Sequence, residues 1–157
     1  MGENNMIATH KFSKARSNLT SLIDSVQSNH FQFIAHRKES EDDTLLISRK
    51  QFCNAFKKIG YETSVETYKD SDGSITTIFD PFGIIVNSED RNSIFDDLLD
   101  ELIIYANEYM DDFELYSRAP NRKDHLPLVI LILSCRNKNE LKGLFDLAKV
   151  ERAIKVL

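Results

Sequence analysis

Three cations, Lys11, Lys14 and Arg16, crowd the opening of the segment HKFSKARSNLTSLIDSV at residues 10–26, which then becomes an apolar stripe. Positive side chains at a helix start oppose the helix dipole, so the spacing points to an external anion. Phosphate oxygens accept from a forked guanidinium, from lysine ammoniums and from the unpaired amides of a first helical turn. Arg37 and Lys38, at the end of the strand that follows, extend the same patch. The plain alternative is five ordinary surface cations. A second cluster has the opposite sign: Asp96, Asp97, Asp100, Glu101, Glu108, Asp111, Asp112 and Glu114, with no Lys or Arg between Asp96 and Glu114. Neighbouring carboxylates on a helix point about 100° apart, which suits a solvated or partner-facing surface better than a metal site. Their mutual repulsion costs a few tenths of a kcal/mol per pair, and a basic partner would neutralise it.

No catalytic constellation stands out. His10, His30, His36 and His125 are scattered over strand ends and loops, and no G-x-S-x-G, phosphate-binding glycine loop or H-E-x-x-H is present. Cys53 and Cys135 have no second ligand at zinc-type spacing and read as buried thiols in a reducing cytoplasm. The expectation is a non-enzyme that needs neither metal nor cofactor.

The elements that must position these charges come from periodicity. Residues 7–10 are strand-like, and Ser13 is an expected N-cap for one helix whose apolar side is Ala15, Leu19, Leu22, Ile23 and Val26, with Asn29 ending it. HFQFIAH alternates as a strand, with Phe31, Phe33 and Ala35 on one face and Gln32, Ile34 and His36 on the other. A polar loop and the strand TLLIS follow, then a helix capped by Ser48, carrying Phe52, Phe56 and Ile59 and stopped by Gly60. The order is β-α-β-β-α within residues 1–60. Beyond Gly60, a hinge candidate, a strand in YETSVETYKD pairs through the Asp72-Gly73 turn with ITTIF, and DPFG turns into IIVN. A long helix is expected from Ser88 or Asp90 toward Pro120. Asp124 would cap a further segment with Pro127 in its first turn. LVILILS fits a buried strand or a helix, and Pro127 with the helix-like sequence after it favours helix.

At 157 residues, 41% hydrophobic, with a mean hydropathy of −0.35, the chain reads as soluble and globular. No apolar run approaches the roughly 20 residues of a membrane span. The opening MGENNMIATH lacks the pattern of a signal peptide and, despite Gly2, that of a myristoylation site. Charge is split: residues 1–60 hold nine Lys or Arg against six Asp or Glu, and residues 61–157 hold 11 against 19. Two surfaces with different partners are the expectation. The apolar strand residues Phe31, Phe33, Leu45 and Ile47 exceed what 60 residues can cover, which calls for a homodimer.

The stretch ATHKFSKARSNLTSLIDSVQSNHFQFIAHRKESEDDTLLISRKQF resembles the N-terminal domain of the Phd/YefM antitoxins. The helix signature falls on Ser13, Ala15, Arg16 and Leu19, the strand ending in arginine on FIAHRKE, and the Ser-capped helix on LLISRKQF. The acidic turn ESEDD is longer than the family's usual one. Residues 61–157 are similar only in outline to the β-β-β-α unit of HicB-type antitoxins. The resemblance implies an α+β protein with a dimerisation and DNA-binding domain at 1–60, followed at 61–157 by a small antiparallel sheet with C-terminal helices. It implies a cytoplasmic antitoxin that autorepresses its operon, with Lys11, Ser13, Lys14, Arg16, Arg37 and Lys38 at operator DNA. Asp96, Asp97, Asp100, Glu101 and Glu108 would face a cognate toxin, expected to be a basic ribonuclease. The rival reading is a dimeric interaction protein or regulator without a toxin.

Overall fold

The structure, a computed structural model, describes residues 9–28, 30–38, 41–59, 65–90, 93–145 and 155–156. The chain divides into two compact units, Met1–Lys58 and Ile59–Leu157.

In the first unit, strand β1 (Thr9–His10) runs parallel to β2 (Gln32–Ile34), which pairs antiparallel with β3 (Thr44–Leu46). The sheet order is β1-β2-β3. Between the parallel strands lie α1 (Phe12–Ser17) and α2 (Leu19–Gln27), where one helix was expected. Asn18, at φ −117° and ψ 26°, breaks it. The Ser17 hydroxyl donates to the Lys14 carbonyl at 3.0 Å, competing with the helical ladder as short polar side chains do. Ser13 is not the cap. The chain leaves β1 at once, so Lys11 takes the N-cap position without a side-chain hydrogen bond, and Ser13 lies inside α1. Asn29 and Gly60 lie outside the described residues.

Gln32 ties the layers together. Its amide meets His10 Nε2 at 3.0 Å and donates to the Ser25 hydroxyl on α2 at 3.1 Å. The opposite sheet face carries Phe33 beside its partner Leu45, with the Phe31 ring edge-on to Phe33 at 6.0 Å. Helix α3 (Arg49–Ile59) starts at the expected cap: the Ser48 hydroxyl accepts from the Gln51 amide at 3.3 Å and donates to its side chain at 3.2 Å.

The second unit is a meander of β4 (Val65–Lys69), β5 (Ile75–Phe79) and β6 (Ile84–Ser88), with β7 (Lys155–Val156) added parallel to β4. The β4–β5 hairpin turns at Gly73, whose φ of +95° excludes most side chains. Asp72 accepts from both the amide and the hydroxyl of Ser74, which holds its carboxyl below the ordinary range. The turn through Asp80–Phe82 closes on Gly83 at φ +66°.

Helix α4 (Ile94–Asp111) starts later than expected; Ser88 ends β6 and Asp90 follows it, where the Ser88 hydroxyl accepts from the Asp90 amide. Its inner side buries Ile94, Phe95, Leu98, Leu99, Leu102, Ala106 and Tyr109, the centre of this unit's core. It ends at Asp112, which leads into the short α5 (Phe113–Tyr116). LVILILS is helical: α6 spans Leu126–Leu133 with Pro127 in its first turn. Asp124 does not cap it, because Lys123–His125 already form a tight turn and His125 occupies the N-cap position. Helix α7 (Lys138–Leu144) is capped by Asn137, which accepts from the Glu140 amide at 2.9 Å.

Candidate functional site

The parallel pairing of β1 and β2 has a direct consequence for the cations. Parallel strands finish at the same end of a sheet, so the residues just after each finish together. Lys11 follows β1, and Ala35 to Arg37 follow β2, whose ladder continues where the Ala35 amide donates to the His10 carbonyl at 2.9 Å. At that end lies an open depression of about 830 Å³, lined by Lys11, Ser13 and Arg16 from the α1 side and by His36 and Arg37 from the β2 side. No carboxylate among the described residues lines it. Among the described residues, no ion pair engages Lys11, Lys14, Arg16, Arg37 or Lys38.

Four of the six residues expected at DNA therefore converge, and two do not. Lys14 and Lys38 are exposed but lie outside the lining. Two participants escaped the sequence reading. The Phe12 ring carries the Arg37 guanidinium at 4.9 Å from its centroid, and His36 lines the depression while its Nδ1 accepts from the Lys38 amide at 3.2 Å. The signal for Phe12 was an aromatic set between Lys11 and Ser13.

The dipole argument for the cations needs correction. With the helix broken at Asn18, Lys14 and Arg16 fall in the last turn of α1, where positive charge is favoured. A six-residue helix also has little dipole to lend its amides. The depression's positive character rests on side chains.

The acidic residues are strung along α4. Asp96 and Asp97 sit in its first turn, where negative charge stabilises a helix. Asp100 is not unbalanced: Lys138, at the start of α7, meets its carboxylate at 2.6 Å. Glu101 and Glu108 are exposed. No group of three or more His, Cys, Asp or Glu among the described residues is arranged to hold a metal ion. No helix there is long and apolar enough to cross a membrane. Cys53 and Cys135 form no disulfide.

The family model for "Antitoxin of toxin-antitoxin, RelE / RelB, TA system" matches residues 6–147, most of the chain. This chain belongs to that antitoxin family. Among solved structures, one described as an antitoxin part of a toxin/antitoxin system, from Syntrophomonas wolfei subsp. wolfei, is similar to it. The TM-score is 0.72 at 26% identity, covering 96% of this chain and 99% of that one. No curated protein matches. The antitoxin is thus a mixed α+β protein with two small sheets, and its family implies a cognate toxin as partner.

Proposed function

We propose that this antitoxin represses its own promoter through residues 1–60 and neutralises a basic ribonuclease toxin by direct binding through residues 61–157. One observation carries the DNA-binding half: the convergence of Lys11, Ser13, Arg16 and Arg37 on one depression, lined among the described residues by no carboxylate. Guanidiniums there would reach base edges or phosphates, with Lys14 and Lys38 adding charge toward the backbone. The order strand, helices, strand, strand, helix supports a Phd/YefM-type domain in this region, and the meander with its helix supports the HicB-like outline of the remainder.

A homodimer is part of this reading. Ala15, Leu22 and Val26 are the buried apolar residues among those described in the first unit, while Leu19, Ile23, Phe31 and Leu45 are 38–51% exposed. So small a core is marginal alone. A two-fold pair would cover the exposed residues and present two depressions to a palindromic operator. For the toxin, a protein that cleaves RNA needs a basic substrate surface, which the α4 carboxylates Asp96, Asp97, Asp100, Glu101 and Glu108 would oppose.

Promoter binding measured at fixed salt tests the DNA half. Arg16→Ala and Arg37→Ala should each weaken it by about 1 kcal/mol or more, and Lys38→Ala should chiefly flatten the salt dependence. Unchanged affinity in both arginine variants refutes it. Sedimentation showing only an 18.1 kDa species at micromolar concentration would remove the dimer.

A further inference from the structure

The core side of α4 is set by Leu98, Leu102, Ala106 and Tyr109, all buried. At about 100° per residue, Ile104 falls almost diametrically opposite. It is 50% exposed. Its neighbours one helical turn away are Asp100, Glu101, Asn107 and Glu108, with Asp111 one turn further, so an isoleucine stands among carboxylates on three of its four near positions. A single exposed apolar side chain ordinarily needs no explanation. This one stands on the solvent-facing side of the helix, where a polar residue would cost nothing.

The carboxylates of α4 differ in what the fold explains. Asp96, Asp97 and Asp100 have internal reasons: two stabilise the helix start, and the third pairs with Lys138. Glu108 and Asp111 have none. They sit in the last turns of α4, where the dipole disfavours negative charge and where the helix carries no basic residue. No ion pair to either occurs among the described residues. Beyond the bend at Asp112 the pattern recurs. Leu115, 62% exposed, lines an open depression of about 580 Å³ with Asp112, Glu114 and Ala119, where Arg118 is the single cation among the described residues. Apolar exposure and unfavourable charge therefore coincide at one end of the helix, as expected where a surface serves a partner rather than the fold.

We infer that the toxin is gripped through two apolar anchors, Ile104 and Leu115, each framed by carboxylates. The matching toxin surface has apolar clefts rimmed by lysine and arginine. This deepens the reading of α4 as a toxin-binding face, and it moves the centre of that face from Asp96 and Asp97 toward the C-terminal half. The charges would draw the partners together and set their register, while the desolvated anchors slow their separation.

The test is binding kinetics of the full-length antitoxin with the purified product of the reading frame adjacent to its gene, at two salt concentrations. Both anchors are exposed, so Ile104→Ser and Leu115→Ser should leave the melting temperature unchanged. Each should weaken binding at least roughly tenfold, through faster dissociation at an unaltered salt slope. Glu101→Gln with Glu108→Gln should instead slow association and flatten the slope. Wild-type affinity in both serine variants, with loss only in Asp96→Asn/Asp97→Asn, keeps the acidic face and overturns the anchors. A change of sedimentation in Ile104→Ser makes the patch a contact between copies, and also overturns them. Absence of binding by the wild-type antitoxin, or wild-type affinity in every α4 variant, refutes the toxin-binding reading itself.

Discussion

The Arg37 guanidinium lies over the Phe12 ring, 4.9 Å from its centroid, and so joins the residue after β1 and Lys11 to the end of β2. An arginine loose in solvent samples many rotamers; one stacked on an aromatic face is already oriented toward a ligand. Phe12→Leu keeps an apolar side chain and removes the π face. It should weaken promoter binding about two- to fivefold, the scale of an exposed cation–π contact, whereas Phe12→Tyr should not. In an Arg37→Ala background the Phe12→Leu effect should vanish. Full additivity of the two substitutions in the measured affinities would show that the ring does not position the guanidinium.

That pair also marks where sequence reading stops. Local chemistry was legible: Ser48 caps α3, Asp72-Gly73 makes the hairpin, the α4 stripe is buried, and Pro127 opens a helix rather than a strand. Each of these is decided within a few residues by dihedral preference or helical period. The break at Asn18 was not, because Leu19, Leu22 and Val26 continue the period of Ala15 across it. Nor was the convergence of Lys11 with Arg37, which depends on β1 and β2 being parallel neighbours. Charge alone could not separate Arg37, in the depression, from Lys38, outside it. The Asp100–Lys138 pair joins residues far apart in sequence, so the acidic run looked less balanced than it is. Strand β7, of two residues, has too little pattern to be seen.

A second prediction concerns the core. Tyr109 is fully buried, its ring 5.3 Å from that of Tyr116 and 6.2 Å from that of Phe113, and its hydroxyl has no hydrogen-bond partner among the described residues. Burial, with the Asp124 charge second, pushes the phenol's pKa up, so it stays protonated. An unpaired buried hydroxyl costs about 1–3 kcal/mol, and removing it leaves only a gap the size of one oxygen. Tyr109→Phe should therefore stabilise the antitoxin by about 1 kcal/mol, raising the melting temperature by roughly 2–4 °C. Thermal unfolding checks this. A melting temperature lowered by a similar amount would mean that the hydroxyl is satisfied in solution.

The last prediction follows from His125, at the N-cap of α6. Its Nδ1 lies 2.6 Å from the Tyr105 hydroxyl, and its ring packs 4.9 Å from Phe82. Arg122, stacked on Tyr105 and Tyr116, stands near it, and Asp124 precedes it. Burial lowers the imidazole pKa first, Arg122 lowers it further, and Asp124 opposes both. The hydrogen bond does not decide the sign, since a neutral ring accepts from Tyr105 and a protonated ring can donate to it. The cost of protonation is that of placing a second cation, half-buried, beside the guanidinium. Because the folded pKa lies below the unfolded value of about 6.5, the unfolded chain binds more protons between the two. Stability contributed by His125 is complete above about pH 6.5 and is lost as pH falls through the folded pKa. Urea midpoints of the wild type should decline from pH 7.5 to pH 5.5 more steeply than those of His125→Phe, which has no proton to take up. Arg122→Gln should shrink the difference by removing one cause of the shift. Identical pH profiles for the wild type and His125→Phe would show that the ring titrates alike in the folded and unfolded chains.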